Sequence, residues 1–307
     1  MFAACKAESL LTKSLVLKLN DERLDDWVRV LNASSRKHQA HTQLSVLDVR
    51  RIIHSGLIDI GSMYLELERA LPTATVRLQI VDGKRAMLND LKTLPGRDEA
   101  GYLLLDHILT TCREAGVLSV VAWVSQDDAH LSDMLASYTF VPRYIRTRMR
   151  LLLAVPPEDV ELDSTYVVKE DYQLQQGEIL RWGLGPRAYG EGLAELTDML
   201  ERRWRPSVTA RWKGQDEPAL VGCVSDSNTK LGWVQVKEHR MSHAVHSLPS
   251  VEMVKRLLLI MYEQGVREVL CETDAAVSSQ GPFTKIGFHT DTLYFEFLLS
   301  MAHDHSS

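Results

Sequence analysis

The stretch KEHRMSHAVHSLPS, residues 237–250, gathers an acid, an arginine and three histidines within fourteen positions. His239 titrates close to neutral pH, so it can take up and release a proton under ordinary conditions. Glu238 ends a strand-like run, where burial beside a cleft can raise its pKa and suit it to the same task. His239, His243 and His246 are spaced by four and three, which on a helix would share one side and could hold a metal. The stretch reads as loop, however, and apart from Glu238 no nearby acid or cysteine completes a ligand set, so no metal is expected. Ser247 or Ser250 can cap the helix that follows, with Pro249 near its first turn, where proline is tolerated. A second polar turn, GRDEAG at 96–101, offers Gly96, Gly101 and Arg97. Glycine lets a backbone approach a phosphate and arginine can meet its charge, while Asp98 and Glu99 would repel it. The same letters also fit a plain turn before a helix whose first turn favours acids.

The chain that carries these residues has 307 positions, is 45% apolar and 25% charged, and has a net charge of −6. That length allows two ordinary domains with sizeable cores. The acidic balance argues against general nucleic-acid or membrane-surface binding, leaving only local basic patches. The four cysteines, Cys5, Cys112, Cys223 and Cys271, are scattered without a CxxC pair. Cys112, Cys223 and Cys271, in apolar periodic segments, read as buried thiols, and this usage fits a reducing cytoplasm. The opening MFAACKAESLLTK places Lys6 and Glu8 inside its apolar run and does not read as a signal peptide. No apolar run reaches the length of a membrane span.

An internal repeat organises the rest. Glu114, Gly116, Val117 and Val120 recur as Glu263, Gly265, Val266 and Val269, each 149 positions later, and Phe140 recurs as Phe288 at an offset of 148. Each half reads through the same elements. In the first, strands are expected at 14–19, 63–68, 75–81, 86–94, 119–125 and 143–153, with helices at 21–31, 45–56, 100–116 and 128–138. In the second, strands are expected at 165–170, 207–213, 219–225, 230–238, 268–274 and the chain's last aromatic run. Helical stretches are expected around 174–182, 190–204 and 250–265, with another before Gly287. The Pro- and acid-rich AVPPEDVELDST, residues 154–165, reads as a linker. Two domains, 1–155 and 156–307, follow. Alternation along RYIRTRMRLLL puts Arg146, Arg148 and Arg150 on one strand face, read either as ion pairing with acids of the other half or as a docking surface for an acidic partner.

This β-α-α-β-β-β-α-β-α-β order, the long helices ending at Gly116 and Gly265, and the Phe140 and Gly287-Phe288 turns resemble the GNAT superfamily of acyl-CoA-dependent N-acyltransferases, once per half. The resemblance implies an α/β fold of two tandem GNAT-like domains, each a twisted mixed sheet flanked by helices. It implies that the thioester arm lies where the fourth and fifth strands of a half splay apart. It also implies that the pyrophosphate sits on backbone N–H groups at the long helix's N-terminus. By that resemblance Gly96, Arg97 and Gly101 would serve this role in the first half, under either of two alignments of the family's glycine pattern. In the second half the residues would be Arg240, Ser247 and Ser250. The second is favoured, because it lacks the acids Asp98 and Glu99.

The resemblance further implies that N–H groups near Val236 polarise the thioester carbonyl and that Glu238 or His239, with Asp90 as a first-half candidate, deprotonates an attacking amine. At the position where the family often carries a tyrosine acid stand Leu135 and Phe283. The implied activity is N-acyl transfer, most simply acetyl transfer from acetyl-CoA to the amine of a small molecule or peptide. Two other readings stay open: a non-catalytic binding or regulatory protein, and acyl transfer from an acyl carrier protein.

Overall fold

The computed structural model describes residues 14–35, 43–159, 165–170, 204–215, 218–236, 249–274 and 277–301. They form two compact units, Met1–Leu118 with Met301–Ser307, and Ser119–Ser300. No helix among the described residues is long and apolar enough to cross a membrane. The helical stretches expected around 174–182 and 190–204 lie outside the described residues, except for Trp204, which begins a strand.

The first unit contains β1 (Ser14–Lys18), α1 (Leu24–Ser35), α2 (Val46–His54), β2 (Met63–Glu68), β3 (Leu71–Val81), β4 (Arg85–Thr93) and α3 (Asp98–Glu114). Its four strands pair antiparallel in chain order. α1 packs on β3 and β4, and α3 packs on β2, β3 and β4. Trp27 of α1 is fully buried and its Nε1 donates to the Tyr64 carbonyl oxygen at 3.1 Å, so the ring fills the core without stranding its polar atom. Ser45 and Asp48 form a reciprocal capping box that starts α2. β3 begins earlier than expected, at Leu71, although Pro72 follows. Pro72 pairs with β2, and the ladder to β4 opens only at Ala74, so the N–H that proline lacks is not needed there. Further along, the β3–β4 register jumps from Thr75↔Lys92 to Arg77↔Asn89, placing one extra residue on β4. Asp90 sits in this bulge with φ 53° and accepts from Arg77 Nε at 2.9 Å, both side chains being buried. This acid is therefore part of a buried ion pair.

The second unit contains β5 (Ser119–Ser125), α4 (Ala129–Ser137), β6 (Val141–Leu152), β7 (Tyr166–Glu170), β8 (Trp204–Trp212), β9 (Leu220–Ser225), β10 (Leu231–Val236), α5 (Val251–Glu263), β11 (Glu268–Asp274), α6 (Val277–Ile286) and β12 (His289–Ser300). Its sheet runs β5-β12-β6-β11-β10-β9-β8-β7. Among the described strands of this unit only β10 and β11 pair in parallel. α5 presses closely on β9 and β10. A Cβ on Gly222 would come within 2.8 Å of Met261 Sδ, and one on Gly232 within 2.5 Å of Met261 Cε. Leu257, Leu258 and Met261 of α5 join Val234, Val269, Cys271, Met149 and Phe283 in one buried cluster.

The repeat is visible in how the helices stop. The N–H of Val117 bonds the Cys112 carbonyl at 2.9 Å past Gly116, and Val266 bonds Met261 at 3.0 Å past Gly265. Both glycines have positive φ, as this kind of helix stop requires. The shorter helices end alike, Phe140 N–H on Leu135 and Phe288 N–H on Phe283, each at 3.1 Å. There Gly287 has a counterpart in Thr139, a β-branched residue held at φ 63°.

The closing strands of the two halves pair across the repeat. β12, the last strand of the second half, lies between β5 and β6 of the first. β6 in turn pairs with β11 of the second half, from Arg146↔Asp274 to Leu152↔Glu268. The halves have exchanged their closing strands. Residues 1–155 produced alone should therefore be insoluble or self-associated, because β5 and β6 would lack β12 and β11. Co-production with 156–307 should return a soluble 1:1 complex in size-exclusion chromatography. A soluble, monomeric 1–155 fragment with a protected β6 in amide exchange would refute the exchange.

Candidate functional site

A gap opens in the second unit at its parallel pair. β10 and β11 pair from Leu231↔Glu268 to Val234↔Cys271. Beyond that register β10 continues to Val236 against β9, and β11 continues to Asp274 against β6. Adjacent parallel strands that stop pairing while each keeps its other neighbour diverge at their C-terminal ends. Val236, one of the expected carbonyl-polarising positions, lies on one wall, and its side chain is buried. The next described segment of the chain leads into α5. Ser250 caps it, its Oγ accepting from the Met253 N–H at 3.1 Å, and Glu252 is the one acid in its first turn. Glu238, His239, Arg240 and Ser247 fall in the segment that joins Val236 to this cap, outside the described residues, as do His243 and His246.

Across the sheet from α5, β11 presents Glu272, buried at 5% exposure. Arg148 donates to Glu272 Oε1 through both Nε, at 3.0 Å, and Nη2, at 2.8 Å. Arg146 Nη1 lies 3.8 Å from Glu272 Oε2. The Arg146 guanidinium stands 4.2 Å from the Trp123 ring centroid and that of Arg148 5.2 Å from Tyr294. Arg150 meets Glu268 at 2.7 Å. Trp233 packs on Trp204 of β8, with ring centroids 6.1 Å apart. The arginine row thus pairs with acids of the other half of the sequence.

In the first unit the corresponding helix start is acidic. Gly96 lies in the turn before α3 with φ 75°, and Gly101 is buried inside the helix. Arg97 precedes α3 and donates to Glu68 at 2.7 Å, and Asp98 and Glu99 occupy the first turn. Glu66, two positions from Glu68, is 1% exposed. Its Oε1 accepts from Ser14, while Oε2 has no hydrogen-bond partner. Burial pushes the Glu66 carboxyl above its ordinary range and Glu68 adds to the rise, while Ser14 and Arg97 oppose it. An anionic ligand would meet several carboxylates here.

Among the described residues no three His, Cys, Asp or Glu side chains gather to hold a metal. Burial raises the thiol of Cys112 to about 11 and that of Cys223 to about 12, and Cys271 also lies well above its ordinary value. None of the three is poised as a nucleophile.

No family model matches the chain, and no curated protein matches it by sequence. Solved structures do. A GCN5-related N-acetyltransferase from Sphaerobacter thermophilus superposes with a TM-score of 0.61 at 12% identity, covering 94% of this chain and 95% of that one. A tandem GNAT protein from the clavulanic acid biosynthesis pathway gives 0.61 at 15% identity, covering 95% and 100%. A GCN5-related N-acetyltransferase from Anabaena variabilis gives 0.58 at 10%, covering 93% and 72%. The chain has the GNAT fold. Within the GNAT frame β10 and β11 are the fourth and fifth strands of the second half, and α5 is its long helix.

The GNAT frame also explains what stands where a tyrosine acid would be expected. Leu135 and Phe283 are fully buried. Phe283 meets Phe288 edge-on, with centroids 5.3 Å apart. Both positions belong to the core, and each carbonyl closes the helix stop described above. Sequence reasoning did not single out Glu66 or Glu272. MYLELE ends with acids alternating with an apolar residue, the pattern of a half-exposed strand, and EVLCETD reads as a buried strand without marking its acids, whereas both carboxylates are buried.

Phe283→Tyr should lower stability by about 1–3 kcal/mol in urea unfolding, because its hydroxyl enters an apolar cluster. It should not raise acyl transfer. A tyrosine that increased turnover would show that the position reaches the reaction after all. Glu66→Gln tests the buried carboxyl. With its pKa raised on folding, Glu66 contributes full stability below the ordinary carboxylate range and loses it as pH rises through the raised value. The glutamine variant should therefore melt a few degrees higher at pH 7 than the parent and show a flatter Tm profile between pH 4 and 7. An unchanged profile would contradict the assignment.

Proposed function

We propose that this protein is an acyl-CoA-dependent N-acyltransferase, with acetyl-CoA the simplest donor, acting in the cytoplasm on the amine of a small molecule or peptide. The observation that carries the reading is the end of the β10–β11 ladder at Val234 and Cys271 while each strand keeps its other neighbour, followed in the chain by a serine-capped helix start, within a GNAT fold. The second half is the better donor site, because the α3 start is lined by Glu68, Asp98 and Glu99 and its arginine is engaged.

The thioester arm would lie along Gln235 and Val236. N–H groups at the end of β10 would polarise its carbonyl. The pyrophosphate would rest at the start of α5 with Ser250, Ser247 and Arg240. Glu238 or His239 would take the proton of the attacking amine. In the step itself the amine nitrogen bonds the carbonyl carbon, the C–S bond breaks, the amine proton passes to the base, and CoA leaves as thiolate. With Phe283 in the core, the thiolate departs without a proton from that position, which a thiol of moderate pKa allows.

That same burial favours a second reading, in which the site binds an acyl-CoA without turning it over. Isothermal titration with acetyl-CoA should give saturable binding below millimolar concentration, and thiol release should follow addition of an accepted amine. Binding without thiol release across an amine panel would select the second reading. An absence of binding at millimolar acetyl-CoA would overturn both and leave transfer from an acyl carrier protein to be assayed directly.

A further inference from the structure

The arginines of β6 divide into two groups. Arg146 and Arg148 meet Glu272, and Arg150 meets Glu268. Arg143 has no ion pair among the described residues, and its guanidinium lies 5.3 Å from the Tyr144 ring centroid. Stacking of this kind limits the motion of the charge without neutralising it.

The backbone divides at the same place. β6 has β12 on one edge and β11 on the other. Its ladder with β11 stops at Arg146, opposite Asp274, where β11 ends. Its ladder with β12 runs on to Val141. Among the described residues, Val141–Ile145 therefore pair with β12 alone, and their other edge makes no hydrogen bond. All five residues are exposed, Val141 at 61%, Tyr144 at 49% and Ile145 at 40%. An unpaired strand edge flanked by large apolar side chains is what an added strand covers.

The charge on this edge selects what can cover it. A second copy is poorly suited. Antiparallel pairing of two such edges about their centre would set each Arg143 against its own copy, and like charges directly opposite disfavour pairing. Pro142 offers no N–H, and the register shift between Glu296 and Phe297 leaves Arg143 as an extra residue that bends the strand. Both features weaken the edge as a template for itself. A chain that brings an acid to Arg143 gains where a second copy loses.

We propose that the outer edge of β6 at Val141–Ile145 is a docking site for an extended segment of a partner protein, in which an acidic residue is flanked by apolar, β-branched residues. The segment adds a strand on the line of β11. Backbone bonds hold it, Arg143 meets its acid, and Val141, Tyr144 and Ile145 cover its apolar side chains. The site is independent of the acyltransferase reading and goes beyond it.

The test uses a fluorescein-labelled peptide, Ser-Val-Glu-Val-Ser, and the same peptide with lysine in place of glutamate. In anisotropy titrations at low salt the full chain should bind the acidic peptide at least about fivefold more tightly, as expected when an exposed attraction becomes a repulsion. Arg143 is exposed, so Arg143→Glu should fold as the parent does, and it should reverse the preference. Methylating the amide nitrogens of alternate peptide residues should abolish binding for one set and spare it for the other, because alternate groups of a strand face one neighbour. Amide exchange at Arg143–Ile145 should slow when the acidic peptide is bound. Equal affinity for the two peptides, an unreversed preference in Arg143→Glu, no binding at millimolar peptide, or exchange slowed only elsewhere overturns the proposal. Exchange at Arg143–Ile145 that slows with protein concentration alone would assign the edge to a second copy and overturn it too.

Discussion

The second unit depends on one hydrogen-bonding constraint, the insertion of β12 between β5 and β6. Every strand edge in a sheet must find a partner or be shielded. β5 and β6 belong together by sequence, yet each pairs with strands from the other half of the chain. Once β12 is in place, β6 is displaced onto β11, and β11 then has β6 on one side and β10 on the other. Because β6 holds β11 along its whole length, β11 can leave β10 after four pairs without losing its place in the sheet. The gap that would receive a thioester is thus supported by a strand from the other half of the chain.

The same exchange brings Arg146 and Arg148 to Glu272. Arg148 and Glu272 are direct cross-strand partners in the register, so a slip by one residue would turn the arginines toward the apolar cluster that contains Met149 and Cys271. Breaking a buried pair of this kind by removing one partner costs about 3–5 kcal/mol, so the ion pairs also penalise wrong registers. Packing on the α5 side and charge on the other face therefore specify one alignment.

Much of the fold was legible in the sequence because its signals are local. Ser119–Ser125 and Glu268–Asp274 are buried strands whose limits match the expected runs, and Gly116, Gly265 and Gly287 mark helix stops that need positive φ. The arginine face followed from period-two alternation. The exchange of closing strands was not legible, since β6 and β12 are both long alternating strands and either can complete either sheet. Nor was the bulge at Asp90, which depends on counting residues across two strands rather than along one. β8 was expected to start at Ser207, yet it begins at Trp204 because a register shift between Pro206 and Val208 absorbs the proline. Of the site, Val236 was legible as a position on a strand and Ser250 as a helix cap. The tyrosine position was legible only as a substitution, and the burial of Phe283 beside Phe288 supplies its reason.

Under the proposed function the buried cysteines would have a chemical consequence. Exchange of an acyl group between sulfur atoms requires an accessible thiolate. Cys112, Cys223 and Cys271 are enclosed in core, with their thiols pushed to about 11, about 12 and still higher than usual, respectively. An activated acyl group held nearby would find no sulfur among them to capture it, so these thiols pose no competing route by which the protein could acylate itself.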